Sequence, residues 1–136
     1  MGPILLFQEL LPCLEKAADS QKGERMSVSR AAVINITSKF ASLTNMTDDK
    51  DWLNSIPYRV SKTALNMSMR ILSVIVKNLG ILVVCIHPGW VKTEMGKEEA
   101  PEEIADAITR LFEKLSQLNE THHGTLMEKN GTPIPF

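Results

Sequence analysis

The chain has 136 residues, 15 Lys and Arg against 16 Asp and Glu, a formal net charge of -1 at pH 7 and 43% hydrophobic residues. One globular domain is expected at this length, and the balanced charge leaves no basic excess to attract nucleic acid or an anionic membrane. The opening apolar run Ile4 to Leu14 is broken by Gln8 and Glu9 and lacks a basic leader, which excludes a membrane span or signal peptide there.

A cytoplasmic protein is therefore expected. Cys13 and Cys85 both lie in apolar runs without metal-ligand spacing. They are expected to be buried, reduced thiols, with no disulfide and no metal site.

Leu5, Leu6, Leu10, Leu11 and Leu14 recur at helical spacing, so the chain is predicted to open with an amphipathic helix carrying Pro3 in its first turn. Ala31 to Ile36 is a short apolar run without alternation. This pattern predicts a strand covered on both faces, hence a parallel sheet, with Thr37 and Ser38 at its C-terminal end. Ala41 to Pro57 is rich in Asn, Asp, Ser and Thr and reads as a long surface loop.

From Tyr58 to about Asn78, Val60, Ala64, Leu65, Met67, Met69, Leu72, Val76 and Leu79 form a wide apolar stripe, and Gly80 is a ready helix stop. Ile81 to Ile86 is a second buried strand ended by His87-Pro88-Gly89. Pro101 is expected to begin a third helix. Glu102 and Glu103 would stand in its first turn, and Ile104, Ile108, Leu111, Phe112, Leu115 and Leu118 on one face. Gly124 to Met127, before Asn130-Gly131, reads as a last short strand. The order helix, strand, helix, strand, helix, strand is that of a doubly wound α/β sheet.

Tyr58-Arg59-Val60-Ser61-Lys62 places a phenol and an ammonium at i and i+4 on one helix face. A phenol ordinarily ionises near pH 10, and a neighbouring cation favours the phenolate, so the pairing suits proton exchange at neutral pH. The spacing alone is weak, since such pairs usually form an exposed contact. Its setting sharpens it: the pair opens a helix between two buried strands, one ending in Thr37-Ser38 and the other in Pro88-Gly89. In open α/β sheets, ligands bind beyond the carboxyl ends of the strands.

This order of motifs resembles the short-chain dehydrogenase/reductase family, over residues 1 to 136. The segments Arg30 to Ser38, Tyr58 to Met67, His87 to Met95 and Asn130 to Pro135 are similar to its sniffer and C-factor carbonyl reductase branch. The resemblance implies a Rossmann-type fold and NADP(H)-dependent reduction of a small-molecule carbonyl to an alcohol. It also implies that Tyr58 exchanges a proton with the substrate oxygen, that Lys62 stabilises the phenolate and bonds the nicotinamide ribose, and that Ser38 holds the carbonyl oxygen. Pro88, Gly89, Val91 and Thr93 match the turn that lines the nicotinamide. Tyr58 and Lys62 count among the cofactor-binding residues as well.

Ser38 lies 20 positions before Tyr58, longer than the family's usual separation, so Ser42 is a second candidate. Each residue also has a plainer use: a strand-end hydroxyl commonly satisfies nearby backbone, and a Pro-Gly turn simply ends a strand. The sequence has no Gly-x-x-x-Gly-x-Gly segment, so the expected unit is the C-terminal half of the family's domain, without the N-terminal dinucleotide-binding half. Two functions follow as alternatives, an oxidoreductase with a Ser-Tyr-Lys site, or an inactive half-domain that acts by protein association. By the same resemblance, a homodimer would form through the first helix and the Tyr58 helix.

Overall fold

The computed structural model describes residues 2–46 and 55–136. Helix α1 spans Gly2–Ser20, β1 Ala32–Ile36, α2 Ile56–Val76, β2 Leu82–His87, α3 Ile104–Leu115, β3 Leu126–Glu128 and β4 Pro133–Ile134. The strands form one sheet in the order β1-β2-β3-β4. β1 pairs with β2 in parallel from Ala32↔Leu82 to Ile36↔Ile86, and β2 with β3 in parallel from Cys85↔Leu126 to His87↔Glu128. The β3–β4 pair is antiparallel.

The sheet is built around β2, all six residues of which are buried. Alternate side chains point to opposite faces. Val83 and Cys85 therefore pack with Phe7 and Ala18 of α1 and Met69 and Val76 of α2. Leu82, Val84 and Ile86 pack with Leu118 and Met127, flanked by Leu111 and Leu115 of α3. Helices thus cover both faces, as the unbroken apolar runs required, and each fully buried aliphatic side chain contributes about 1.5–3 kcal/mol. The fold is the expected Rossmann-type α/β arrangement.

Helix α2 ends through a 3-10 turn at Lys77–Leu79, and Gly80 (φ +73°) supplies the left-handed stop. The helix begins at Ile56, two residues earlier than the apolar stripe implied, because Pro57 suits its first turn. α1 keeps Pro3 in its first turn and continues through Pro12, a residue the spacing argument passed over.

Several expectations are corrected. α3 starts at Ile104 rather than Pro101, because Glu102 is drawn into a parallel bridge with Val91 and Glu103 becomes the N-cap. Its apolar stripe is divided: Leu111 and Leu115 face the core, while Ile104, Ile108 and Phe112 are exposed, Phe112 by 66%. The last parallel strand is Leu126–Glu128, shifted toward Asn130, and the antiparallel β4 was not anticipated. Cys13 is exposed, because an apolar run on a helix does not say which face it occupies; Cys85 is buried.

The loop expected over 41–57 begins with Ala41 and Ser42 buried after a 3-10 turn at Lys39–Ala41. Its middle, 47–54, lies outside the described residues. No helix among the described residues is long and apolar enough to cross a membrane, and no cluster of metal-ligating side chains occurs among them.

The two thiols should differ sharply. Burial pushes the Cys85 thiol up to about 12, whereas Cys13 stands in water. With a thiolate-specific reagent at pH 8, Cys13 is expected to react at once and Cys85 only after denaturant is added. Two equally fast thiols in the native chain would contradict the packing of β2.

Candidate active site

The site candidates gather at the C-terminal ends of β1 and β2. β1 runs on through Thr37, whose amide donates to the Ile86 carbonyl at 2.8 Å, into Ser38, which caps the 3-10 turn. Ser38 is buried, and its hydroxyl oxygen accepts from the Phe40 amide at 3.1 Å. That bond takes one of the oxygen's two acceptor lone pairs and leaves the hydroxyl proton to donate. Ser42 is also buried, and its oxygen accepts from the Asn45 amide at 3.1 Å.

Tyr58 and Lys62 stand one turn apart on α2, both half-buried. The Lys62 ammonium lies 5.8 Å from the centre of the Tyr58 ring and donates to the Ile36 carbonyl at 3.2 Å. This bond sets the cation at the end of β1, two residues before Ser38. The same segment is tied to α2 twice more: Thr37 donates through its hydroxyl to Asn66 Oδ1 at 2.8 Å, and Thr63 donates to the Ala41 carbonyl at 3.1 Å. Arg59 also lies over the Phe40 ring at 4.3 Å, a cation–π contact.

Sequence reasoning missed Thr37, Thr63 and Asn66 as the links that set Ser38 against the helix. The available signal was the spacing, since Asn66 continues the Tyr58–Lys62 series at i+8. Its Nδ2 is buried without a hydrogen-bond partner among the described residues.

Beyond β2, Pro88 and Gly89 are half-buried and Gly89 has φ +95°. A Cβ on Gly89 would run into Lys129 Nζ and stand 2.8 Å from Glu102 Oε2. The turn is therefore a shape that glycine alone accommodates without strain. Val91 is half-buried and bridged to Glu102. Thr93 is exposed, and its hydroxyl oxygen accepts from the Gly96 amide at 3.0 Å.

Trp90 donates to the Gly96 carbonyl at 2.7 Å, so the loop after β2 folds back on itself. A groove of about 540 Å³ runs along it, lined by Lys92, Thr93, Glu94, Lys97, Glu98 and Glu99. Neither Ser38 nor the Tyr58–Lys62 pair lines that groove.

His87, at the end of β2, is held below its ordinary value by burial and by the Lys39 and Lys129 cations, with Glu128 opposing. His123 is structural: its Nδ1 accepts from the Val83 amide at 3.2 Å, and its Nε2 lies 2.8 Å from the Ser73 carbonyl. One neutral tautomer satisfies both bonds.

A parallel sheet with helices on both faces and polar side chains gathered at its carboxyl edge defines a Rossmann-type α/β protein. The short chain dehydrogenase family model matches residues 1–104, and the chain belongs to that family. It is 31% identical over 136 residues to the C-signal of Myxococcus xanthus, covering 100% of this chain and 73% of that protein.

Among solved structures it resembles the carbonyl reductase Sniffer of D. melanogaster, with a TM-score of 0.90 and 37% identity over 98% of this chain and 52% of that one. An NADPH-bound carbonyl reductase from chicken fatty liver is similar at a TM-score of 0.86 and 34% identity, again over 98% and 52%. The chain thus spans about half the length of these solved relatives.

Gly89→Ala tests the turn directly. The added methyl meets both members of an ion pair in a backbone shape L-residues avoid, so a loss of about 1–3 kcal/mol in chemical denaturation is expected. A variant as stable as the parent would show that the turn can relax.

Proposed function

We propose that residues 1–136 form the substrate- and nicotinamide-facing half of an NADP(H)-dependent carbonyl reductase of the short-chain dehydrogenase family. The observation that carries this reading is the placement of Lys62. Its ammonium lies 5.8 Å from the centre of the Tyr58 ring and is bonded to the β1 carbonyl two residues before Ser38, which supports a proton donor, a cation and a hydroxyl acting at one strand end. Family kinship and the NADPH-bound carbonyl reductase among its relatives support the choice of cofactor and substrate class.

In this reading the Ser38 hydroxyl donates to the carbonyl oxygen of a small-molecule substrate and steadies charge developing there, as an oxyanion hole does. Tyr58 gives its phenolic proton to that oxygen during reduction and takes it back during oxidation. Lys62 stabilises the phenolate form electrostatically and offers its remaining donors to a ribose. NADPH, when bound, supplies the hydride.

The chain's own residues fit the nicotinamide end of such a cofactor. Gly89 presents a backbone with no side chain over a turn too tight to bear one, and Pro88, Val91 and Thr93 continue its edge. The pyrophosphate end has no matching Gly-x-x-x-Gly-x-Gly segment in these 136 residues. The setting proposed is cytoplasmic.

Titration of the purified chain with NADPH, followed by fluorescence, checks the reading, with Tyr58→Phe as control. Saturable binding is expected in both, with turnover of a test carbonyl reduced by about a hundredfold or more in Tyr58→Phe. No saturable binding would leave the site without a cofactor and remove the enzymatic reading.

A second reading, association, is favoured by a separate observation. The outward side of α2 exposes Val60, Met67, Ile71 and Val74, the last by 66%, and α1 exposes Leu5, Leu6 and Leu10. We propose a homodimer through these two helices. Sedimentation of the wild type should report a dimer that Met67→Glu dissociates, because a charge would be buried at the interface. A monomeric wild type at high concentration would refute it.

A further inference from the structure

We propose that the Glu102–Lys129 ion pair is a positioning device for the turn at Pro88–Gly89, making Glu102 and Lys129 positioning residues for the nicotinamide-facing edge. The functional part of this inference rests on the reading of that turn given above. Lys129 donates to Glu102 Oε2 at 2.6 Å, and the two side chains are only 12% and 13% exposed. Both groups lie against the Gly89 Cα, as the contacts of a virtual Cβ show.

The backbones of the same two residues hold the ends of the turn. The Lys129 amide donates to the His87 carbonyl at 3.0 Å, just before Pro88. The Lys92 amide donates to the Glu102 carbonyl at 2.8 Å, just after Val91. The turn from His87 to Lys92 is thus fastened at both ends and supported beneath by a single pair.

The choice of charged residues matters. A largely buried ion pair is a poor source of stability, since desolvation offsets the attraction and apolar residues of similar volume often do as well. What apolar packing does not supply is direction: a charge-assisted bond fixes where its atoms sit. Glu102 has a further constraint, because its Oε1 lies 3.6 Å from Arg110 Nη1 of α3 and makes no hydrogen bond among the described residues.

Glu102 therefore connects three elements, α3, the loop after β2 and the β3–β4 hairpin. The neighbouring pair, Lys92 Nζ to Glu103 Oε1 at 2.5 Å, is more exposed and adds a second tie between the same two segments. A turn placed by these ties presents its backbone in one orientation, which the carboxamide of a nicotinamide ring would require.

The test uses the full chain, labelled with nitrogen-15, as wild type, Glu102→Gln, Lys129→Met and Lys129→Arg. Amide hydrogen exchange is read at Lys92 and Lys129, with Val84 in the middle of β2 as reference, and NADPH affinity is read by titration. Glu102→Gln and Lys129→Met are expected to speed exchange at Lys92 and Lys129 by about tenfold or more, leaving Val84 unchanged. Both should raise the dissociation constant for NADPH about tenfold.

Lys129→Arg, which keeps the cation, should retain most of both properties, a rescue that simple volume filling would not show. Unchanged exchange at Lys92 and Lys129 in both Glu102→Gln and Lys129→Met would overturn the proposal, as would equal acceleration at Val84. Wild type that binds no NADPH would remove the functional reading of the turn, while the exchange measurements still decide whether the pair holds it. Binding that is present but insensitive to both substitutions would overturn the positioning role.

Discussion

Because β2 is buried along its whole length, both faces of the sheet must be covered, and the rest of the architecture follows from meeting that demand. α1 and α2 cover the face of Val83 and Cys85, and α3 with the Leu118 segment covers the face of Leu82, Val84 and Ile86. Parallel pairing with β1 and β3 satisfies the backbone groups of β2 away from water. It also aligns the three strand ends at one edge. Ser38, the turn after His87 and Lys129 leave the sheet at that edge, so the candidate site is a consequence of register as much as of residue choice.

Helix α2 is then fastened against that edge. Three side-chain bonds, from Lys62 to Ile36, from Thr37 to Asn66 and from Thr63 to Ala41, join its first turns to the end of β1 and the segment that follows. Two of them end on backbone carbonyls, so they constrain where the main chain of 36–41 lies whatever the side chains there. A strand end held in this way keeps Ser38 at a fixed distance from the helix that carries Tyr58 and Lys62. A hydroxyl and a phenol must share such a geometry to act on one oxygen.

Strands β1 and β2 and the Tyr58 helix were legible in the sequence because their signals are local. Ile81 to Ile86 is apolar without alternation, too short for a helix and closed by Pro88-Gly89, the pattern of a strand buried on both sides. Helix faces were less legible. Cys13 and Phe112 sit in periodic apolar runs, yet each turned outward, since periodicity reports that a stripe exists and not what covers it. The start of α3 was misread for a related reason: Glu102 is a reasonable first-turn residue by local rules, but tertiary pairing with Val91 and Lys129 takes precedence. Asn66 and Thr37 are 29 residues apart, and Lys129 and Glu102 are 27 apart. Neither contact leaves a mark in local composition, so these long-range partners stayed hidden while Ser38, Tyr58 and Lys62 stood out.

The distribution of side chains around α2 bears on how chemistry and association relate in this chain. Tyr58, Lys62 and Asn66 follow one another at helical spacing toward the end of β1, while Leu65, Met69, Leu72 and Val76 pack into the core. Val60, Met67, Ile71 and Val74 form a third face that nothing among the described residues covers. A helix that merely packed against a sheet would need only one apolar stripe. The outward stripe is spatially separate from the polar series that holds the strand end. Association through it would leave the site accessible, and would stiffen the one helix on which the placement of Tyr58 and Lys62 depends.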